Sequence, residues 1–114
     1  MATRLYGYGP HTVAANDDYD IACVGAETRP QLLTIGLHFG TSPASVAITS
    51  RAHGGTDAFV SQAYIKPDGT TATAALSGTD THVQIDCTGK DIRLTTTGGN
   101  ANAMTWRFGL SSEL

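Results

Sequence analysis

The chemistry-bearing residues of this chain are few and scattered. The densest group is Asn16-Asp17-Asp18-Tyr19-Asp20. Carboxylates at alternate positions can ligate a hard cation. The group nevertheless lacks the glycine and closing glutamate of a calcium loop, and it reads as a solvated turn. The four histidines are His11, His38, His53 and His82, and none forms a close H-x-x-x-H pair. His38 and His82 fall on the polar faces of strand-like segments, so only the fold can bring them together. There is no G-x-S-x-G elbow for a nucleophile. Asp80, Asp86 and Asp91 are isolated, and His53-Gly54-Gly55 and Gly98-Gly99-Asn100 lack the lysine of a phosphate loop. The expectation is a protein that is not an enzyme, with no catalytic, cofactor-binding or metal-ligating set.

Two cysteines, Cys23 and Cys87, lie 64 residues apart in strand-like segments. That spacing fits an immunoglobulin domain, but the companions do not. Ile85 stands two before Cys87 where a tyrosine belongs, and the single tryptophan is Trp106. Cys87 shares an apolar face with Val83 and Ile85, where a buried thiol is inert. Without a leader sequence, two free thiols are expected rather than a bridge.

The elements that must position these residues are strands. Over 82–87 the parity is strict, with Val83, Ile85 and Cys87 against His82, Gln84 and Asp86. It repeats from Asp91, with Ile92, Leu94 and Thr96 on one side. It repeats again from Ala103, with Met104, Trp106, Phe108 and Leu110 on one side. Period two over three segments means half-buried strands, here read as a meander. Gln31 to Phe39 is a fourth such strand, with Leu33, Ile35, Leu37 and Phe39 on one face. Thr12–Ala15, Tyr19–Val24 and Ser45–Ser50 read as further strands. Ala58 to Ile65 is apolar on both faces and reads as a central strand.

Lys66-Pro67-Asp68-Gly69 is a turn with a mechanism: proline presets φ at the first corner and glycine accepts positive φ. It is expected to join 58–65 to 71–76 as a hairpin. Thr88-Gly89-Lys90 is expected to close another hairpin. The count comes to about eight strands, with no capped helical pattern. The fold class is therefore all-β, an antiparallel sandwich or barrel of jelly-roll or Greek-key type. Residues 12–114 form one β-domain, and residues 1–11 form a flexible N-terminal arm.

The arm carries Tyr6, Tyr8 and Pro10, the residues best suited to hold a partner, since aromatic side chains are enriched at interfaces. Charged residues make up 15% of the 114, against ~25% in an average domain. A surface so poor in charge suits packing against protein. The net charge is −3 and the seven lysines and arginines are dispersed, which argues against nucleic acid as a partner. No apolar run approaches the ~20 residues of a membrane helix, and the N-terminus lacks the apolar stretch of a signal peptide.

A small, leaderless, all-β chain, low in charge, rich in Thr, Ala and Gly, with an aromatic-bearing arm, resembles the small virion proteins of tailed bacteriophages. It is closest in style to the capsid decoration, or cement, proteins. That resemblance implies a chain made in the host cytoplasm and used in the virion. There it would form a closed homo-oligomer, often a homotrimer, and bind the major capsid protein or another virion protein. Tail and connector roles fit the same features. Deletion of residues 1–10 is expected to weaken attachment and leave the fold intact. The other class is a carbohydrate-binding sandwich, for which Tyr6, Tyr8, Tyr19 and Tyr64 are the available stacking platforms. A shielded Trp106 would count against it.

Overall fold

The computed structural model describes residues 3–14, 16–23, 31–39, 45–77, 81–98 and 104–112. Among them every regular element is a strand. In chain order these are β1 (Thr3–Leu5), β2 (His11–Val13), β3 (Asp18–Ile21), β4 (Gln31–His38), β5 (Ser45–Ala52) and β6 (Val60–Ser61). They continue with β7 (Tyr64–Ile65), β8 (Thr71–Ala72), β9 (Leu76–Ser77), β10 (Thr81–Asp86), β11 (Lys90–Thr97) and β12 (Met104–Ser112). The front sheet runs β2-β12-β4-β10-β7-β8. The back sheet runs β1-β3-β11-β5, and both β6 and β9 pair with β5. All pairings are antiparallel except that of β1 with β3.

The seven strands β2, β3, β4, β5, β10, β11 and β12 alternate between the sheets along the chain. That alternation, with front order 2-12-4-10 and back order 3-11-5, is the jelly roll. The all-β sandwich is thus as the alternation of residues predicts.

The core lies between the inner faces. β4 is the centre of the front sheet, and its alternate residues Leu33, Ile35 and Leu37 are buried. The registers place Phe108, Ile35 and Val83 in one cross-strand row. Trp106 stands beside Leu37, fully buried, with its ring edge-on to Tyr19 of the back sheet at 5.3 Å. From the back sheet come Ile21, Ile92, Leu94, Val46 and Ile48. Thr96 is buried as well, and its hydroxyl donates to the Ala14 carbonyl at 2.8 Å and accepts the Asp17 N–H at 2.9 Å. A buried hydroxyl so satisfied carries little penalty.

Three expectations are corrected. The last three strands are not a meander. β10 and β12 lie in the front sheet on either side of β4, and β11 lies in the back sheet. Thr88-Gly89-Lys90 is therefore a corner between sheets and not a hairpin, though the Lys90 N–H still closes it on the Cys87 carbonyl at 3.0 Å. Alternation fixes which side of a strand is buried, and both sheets of a sandwich bury one side. Second, 58–65 is not one central strand. β6 belongs to the back sheet and β7 to the front, and the break at Gln62-Ala63 is where the chain changes sheet. Third, the arm contains a regular element, β1, because its glycines follow residues 3–5 and do not interrupt them. The hairpin at 66–69 is formed, pairing Tyr64 with Ala72 and Ile65 with Thr71. The expected loops at 25–30, 40–43 and most of 97–102, and Asp80, lie outside the described residues.

Candidate functional site

The outer faces of the two sheets use their polar residues differently. On the back sheet they are committed to one another. Arg93 of β11 donates from Nε and Nη2 to the Asp20 carboxylate at 2.7 and 3.2 Å. Thr95 Oγ1 donates to Asp18 at 2.8 Å. Arg51 and His53 meet Asp91 at 3.4 and 2.9 Å. Phe59 lies between two guanidinium groups, 4.5 Å from Arg51 and 4.1 Å from Arg93, and caps the network. Asp18 and Asp20, read from sequence as part of a solvated turn, are thus strand residues with cross-strand partners. The turn is confined to Asn16 and Asp17, where Asn16 takes a left-handed φ of 57° and accepts the Gly98 N–H at 2.9 Å.

These contacts also set the charge states. Burial pushes the Asp91 carboxyl up, but hydrogen bonds from His53, Arg51 and the Gly54 N–H outweigh it and hold the group below the usual carboxylate range. The Thr88 hydroxyl and N–H hold Asp86 low in the same way.

The outer face of the front sheet is open. Arg107 of β12, Gly36 of β4 and His82 of β10 stand in one cross-strand row. Adjacent strands are about 4.8 Å apart, so Arg107 and His82 flank a gap of about 10 Å with no side chain in it. The next row toward one end holds Thr105 and His38, and the next toward the other end holds Gly109, Thr34 and Gln84. The depression over Gly36 has a volume of about 320 Å³. It runs on past Gly109 to Tyr8 in a second hollow of about 240 Å³. A Cβ on Gly36 would meet nothing nearer than the Arg107 carbonyl at 3.8 Å, and one on Gly109 would meet nothing within 4 Å. The backbone does not demand glycine at either position, so their effect is to keep the trough empty. Arg107 has no ion-pair partner among the described residues.

The arm borders this trough. β1 pairs with β3 and hands the chain across at Ala22, whose N–H donates to Leu5 at 3.0 Å. Residues 6–10 then cross to the front sheet, where the Tyr8 carbonyl accepts the Phe108 N–H at 2.9 Å. Tyr6 and Tyr8 are 64% and 63% exposed and Pro10 is exposed too, the three residues singled out from sequence. Tyr8 lines the trough, whereas Tyr6 lies against Arg4, 5.9 Å from its guanidinium carbon. Tyr19 and Tyr64 are buried core residues and cannot serve as sugar platforms. Tyr19 is the second residue of β3 and Tyr64 the first of β7, and both belong to the buried cluster of the core.

The fold brings His38 and His82 to one face, one row apart. Among the described residues, no group of three His, Cys, Asp or Glu side chains is placed to hold a metal ion. No helix there is long and apolar enough to cross a membrane. Sequence reasoning missed both the Arg51–Phe59–Arg93 stack and the trough. The signal for the trough was present in the parity: Gly36 and Gly109 fall on the outward side of long strands where glycine is disfavoured.

No family model matches the chain, and no curated protein matches it. Its fold is that of a solved phage-derived protein: the crystal structure of the SPBc2 prophage-derived protein YomS superposes with a TM-score of 0.60. The match covers 93% of this chain and 88% of that one, at 11% sequence identity. At that identity the likeness is one of fold.

Proposed function

We propose that this chain is a non-enzymatic structural protein of a phage virion, of the capsid decoration type, which binds the shell and stabilises it. The observation that carries the reading is the likeness of fold, over 93% of this chain, to a prophage-derived protein. Supporting it are Tyr6 and Tyr8, two large aromatic side chains held out from a sheet edge by a backbone that is itself anchored. Each contact is small, and a closed homo-oligomer, a homotrimer in the simplest case, repeats it around the assembly and raises the overall affinity. Tail or connector placement uses the same surface.

Truncation is the wrong test, because residues 3–5 form an edge strand of the back sheet. The double variant Tyr6→Ala/Tyr8→Ala removes side chains and keeps the backbone bonds. Purified protein is added to particles from which its gene has been deleted, and bound protein is measured after sedimentation. Wild type is expected to sediment with the particle, and the double variant at least tenfold less, with an unchanged thermal midpoint. Mass spectrometry of wild-type particles that finds no trace of the protein would end the proposal.

A second reading, carbohydrate binding, is favoured by one observation, the trough between Arg107 and His82 with Tyr8 at its end. The buried Trp106 counts against it. A glycan array answered by wild type and silenced by Gly36→Val, which fills the trough, would replace the first reading.

A further inference from the structure

Cys23 and Cys87 come from different sheets and meet at one end of the sandwich. The β3–β11 register pairs Ile21 with Ile92. Carried two residues further, it sets Cys23 opposite Lys90. Lys90 closes the corner on Cys87, donating its N–H to the Cys87 carbonyl at 3.0 Å. The backbone alone therefore delivers both cysteines to the corner where β10 leaves the front sheet and β11 enters the back. The side chains agree with the backbone: Cys23 packs against the buried cluster that holds Cys87, whose thiol donates to the Gln31 carbonyl at 3.6 Å. Both are free thiols, Cys23 partly exposed and Cys87 fully buried.

We propose that Cys23 and Cys87 are a modification site: a thiol pair that a small disulfide oxidant, of the oxidised glutathione class, converts into a bridge stapling the two sheets. Cys23 is the more exposed of the two and is the one that reacts first. Its thiolate attacks one sulfur of glutathione disulfide, that S–S bond breaks, and a glutathione thiolate leaves and takes up the proton lost by Cys23. The Cys87 thiolate then attacks Cys23 Sγ, and the second glutathione leaves as a thiol with the proton lost by Cys87. Two protein S–H groups are oxidised and one glutathione disulfide is reduced to two thiols. The neighbouring Cys87 thiol, together with burial, holds the Cys23 thiol well above its usual range, so the first attack is slow. The pair stays reduced through brief contact with oxidant and closes under lasting oxidising conditions, such as those outside a lysed cell. The bridge closes a loop containing β4 to β10, and long loops gain the most from closure.

The test uses the intact chain, held at pH 8 with excess oxidised glutathione and then analysed by mass spectrometry and thermal melting. The expected product is a monomer lighter by two hydrogens, with no free thiol and a midpoint raised by about 10 °C, reversed by dithiothreitol. Cys87→Ser is expected to stop at a glutathione adduct on Cys23. A wild-type protein that stops at the same adduct, keeps both thiols, links into dimers, or forms the bridge with no rise in midpoint would overturn the proposal.

Discussion

Truncating Trp106 to alanine tests the packing of the whole sandwich. The side chain is fully buried and sits edge-on to Tyr19 at 5.3 Å and to Phe108 at 6.4 Å. A buried tryptophan removes about 200 Å² from water, which at about 25 cal/mol per Å² is worth about 5 kcal/mol. Two lost aromatic edges add about 1 kcal/mol each. Against this stands the indole Nε1, buried without a hydrogen-bond partner among the described residues. Deleting that orphaned donor returns about 1–3 kcal/mol. The net expectation is a loss of about 5 kcal/mol, at the upper end of the range for large aromatic residues in cores. A domain of this size has a total stability of about 6–17 kcal/mol, so the variant still folds but marginally. The assay is urea unfolding followed by far-UV circular dichroism, because Trp106 is the sole tryptophan and the variant has lost its fluorophore. With a slope near ~1.5 kcal/mol/M the midpoint falls by about 3–4 M. Trp106→Phe keeps most of the ring and removes the orphaned N–H, so it is expected to cost about half as much. Arg107→Ala, one residue on and on the open face, is expected to cost under about 0.5 kcal/mol. A loss under about 1 kcal/mol for Trp106→Ala, or an equal loss for Arg107→Ala, would refute the assignment of strand faces.

Stability is expected to fall in acid. Asp86 and Asp91 are held below their unfolded values, so the unfolded chain binds protons first. Their contribution is full above about pH 4 and is lost as pH falls through the folded values. Melting from pH 5 to 2 should show this slope, and Asp86→Asn/Asp91→Asn should flatten it; parallel curves would sink the assignment. Phe59→Ala uncovers Arg51 and Arg93 and is expected to cost about 1–2 kcal/mol in urea unfolding, while no measurable loss would mean that the stack is not formed in solution. Gly9 has a φ of 103°, and a Cβ there would lie 2.9 Å from the His11 nitrogen and 3.0 Å from the Trp106 carbonyl. Gly9→Ala is therefore expected to lift the arm and cut hydrogen-exchange protection of the Phe108 amide, and unchanged protection would show that the arm is held elsewhere.

The pattern of residues determined the strands and their buried sides. Ile85, Leu94, Trp106 and Ile35 are core because alternation put them on apolar faces, and burial follows alternation wherever a sheet has one covered side. The hairpin at 66–69 was legible because proline and glycine act through local dihedral angles. The fully buried tryptophan was legible from its neighbours Met104 and Phe108. The partners of each strand were not. β10, β11 and β12 follow one another in sequence, but strand pairing is a contact between distant segments, and β4 separates two of them. The same reason hid what lies on the outer faces. Phe59 caps two arginines from different strands, and Gly36 opens a trough only because Arg107 and His82 flank it from strands 71 and 46 residues away. Cys23 and Cys87 were visible as residues, but that they meet depended on the β3–β11 register. Local alternation decides which way a side chain points, and only the packing of the two sheets decides what it finds there.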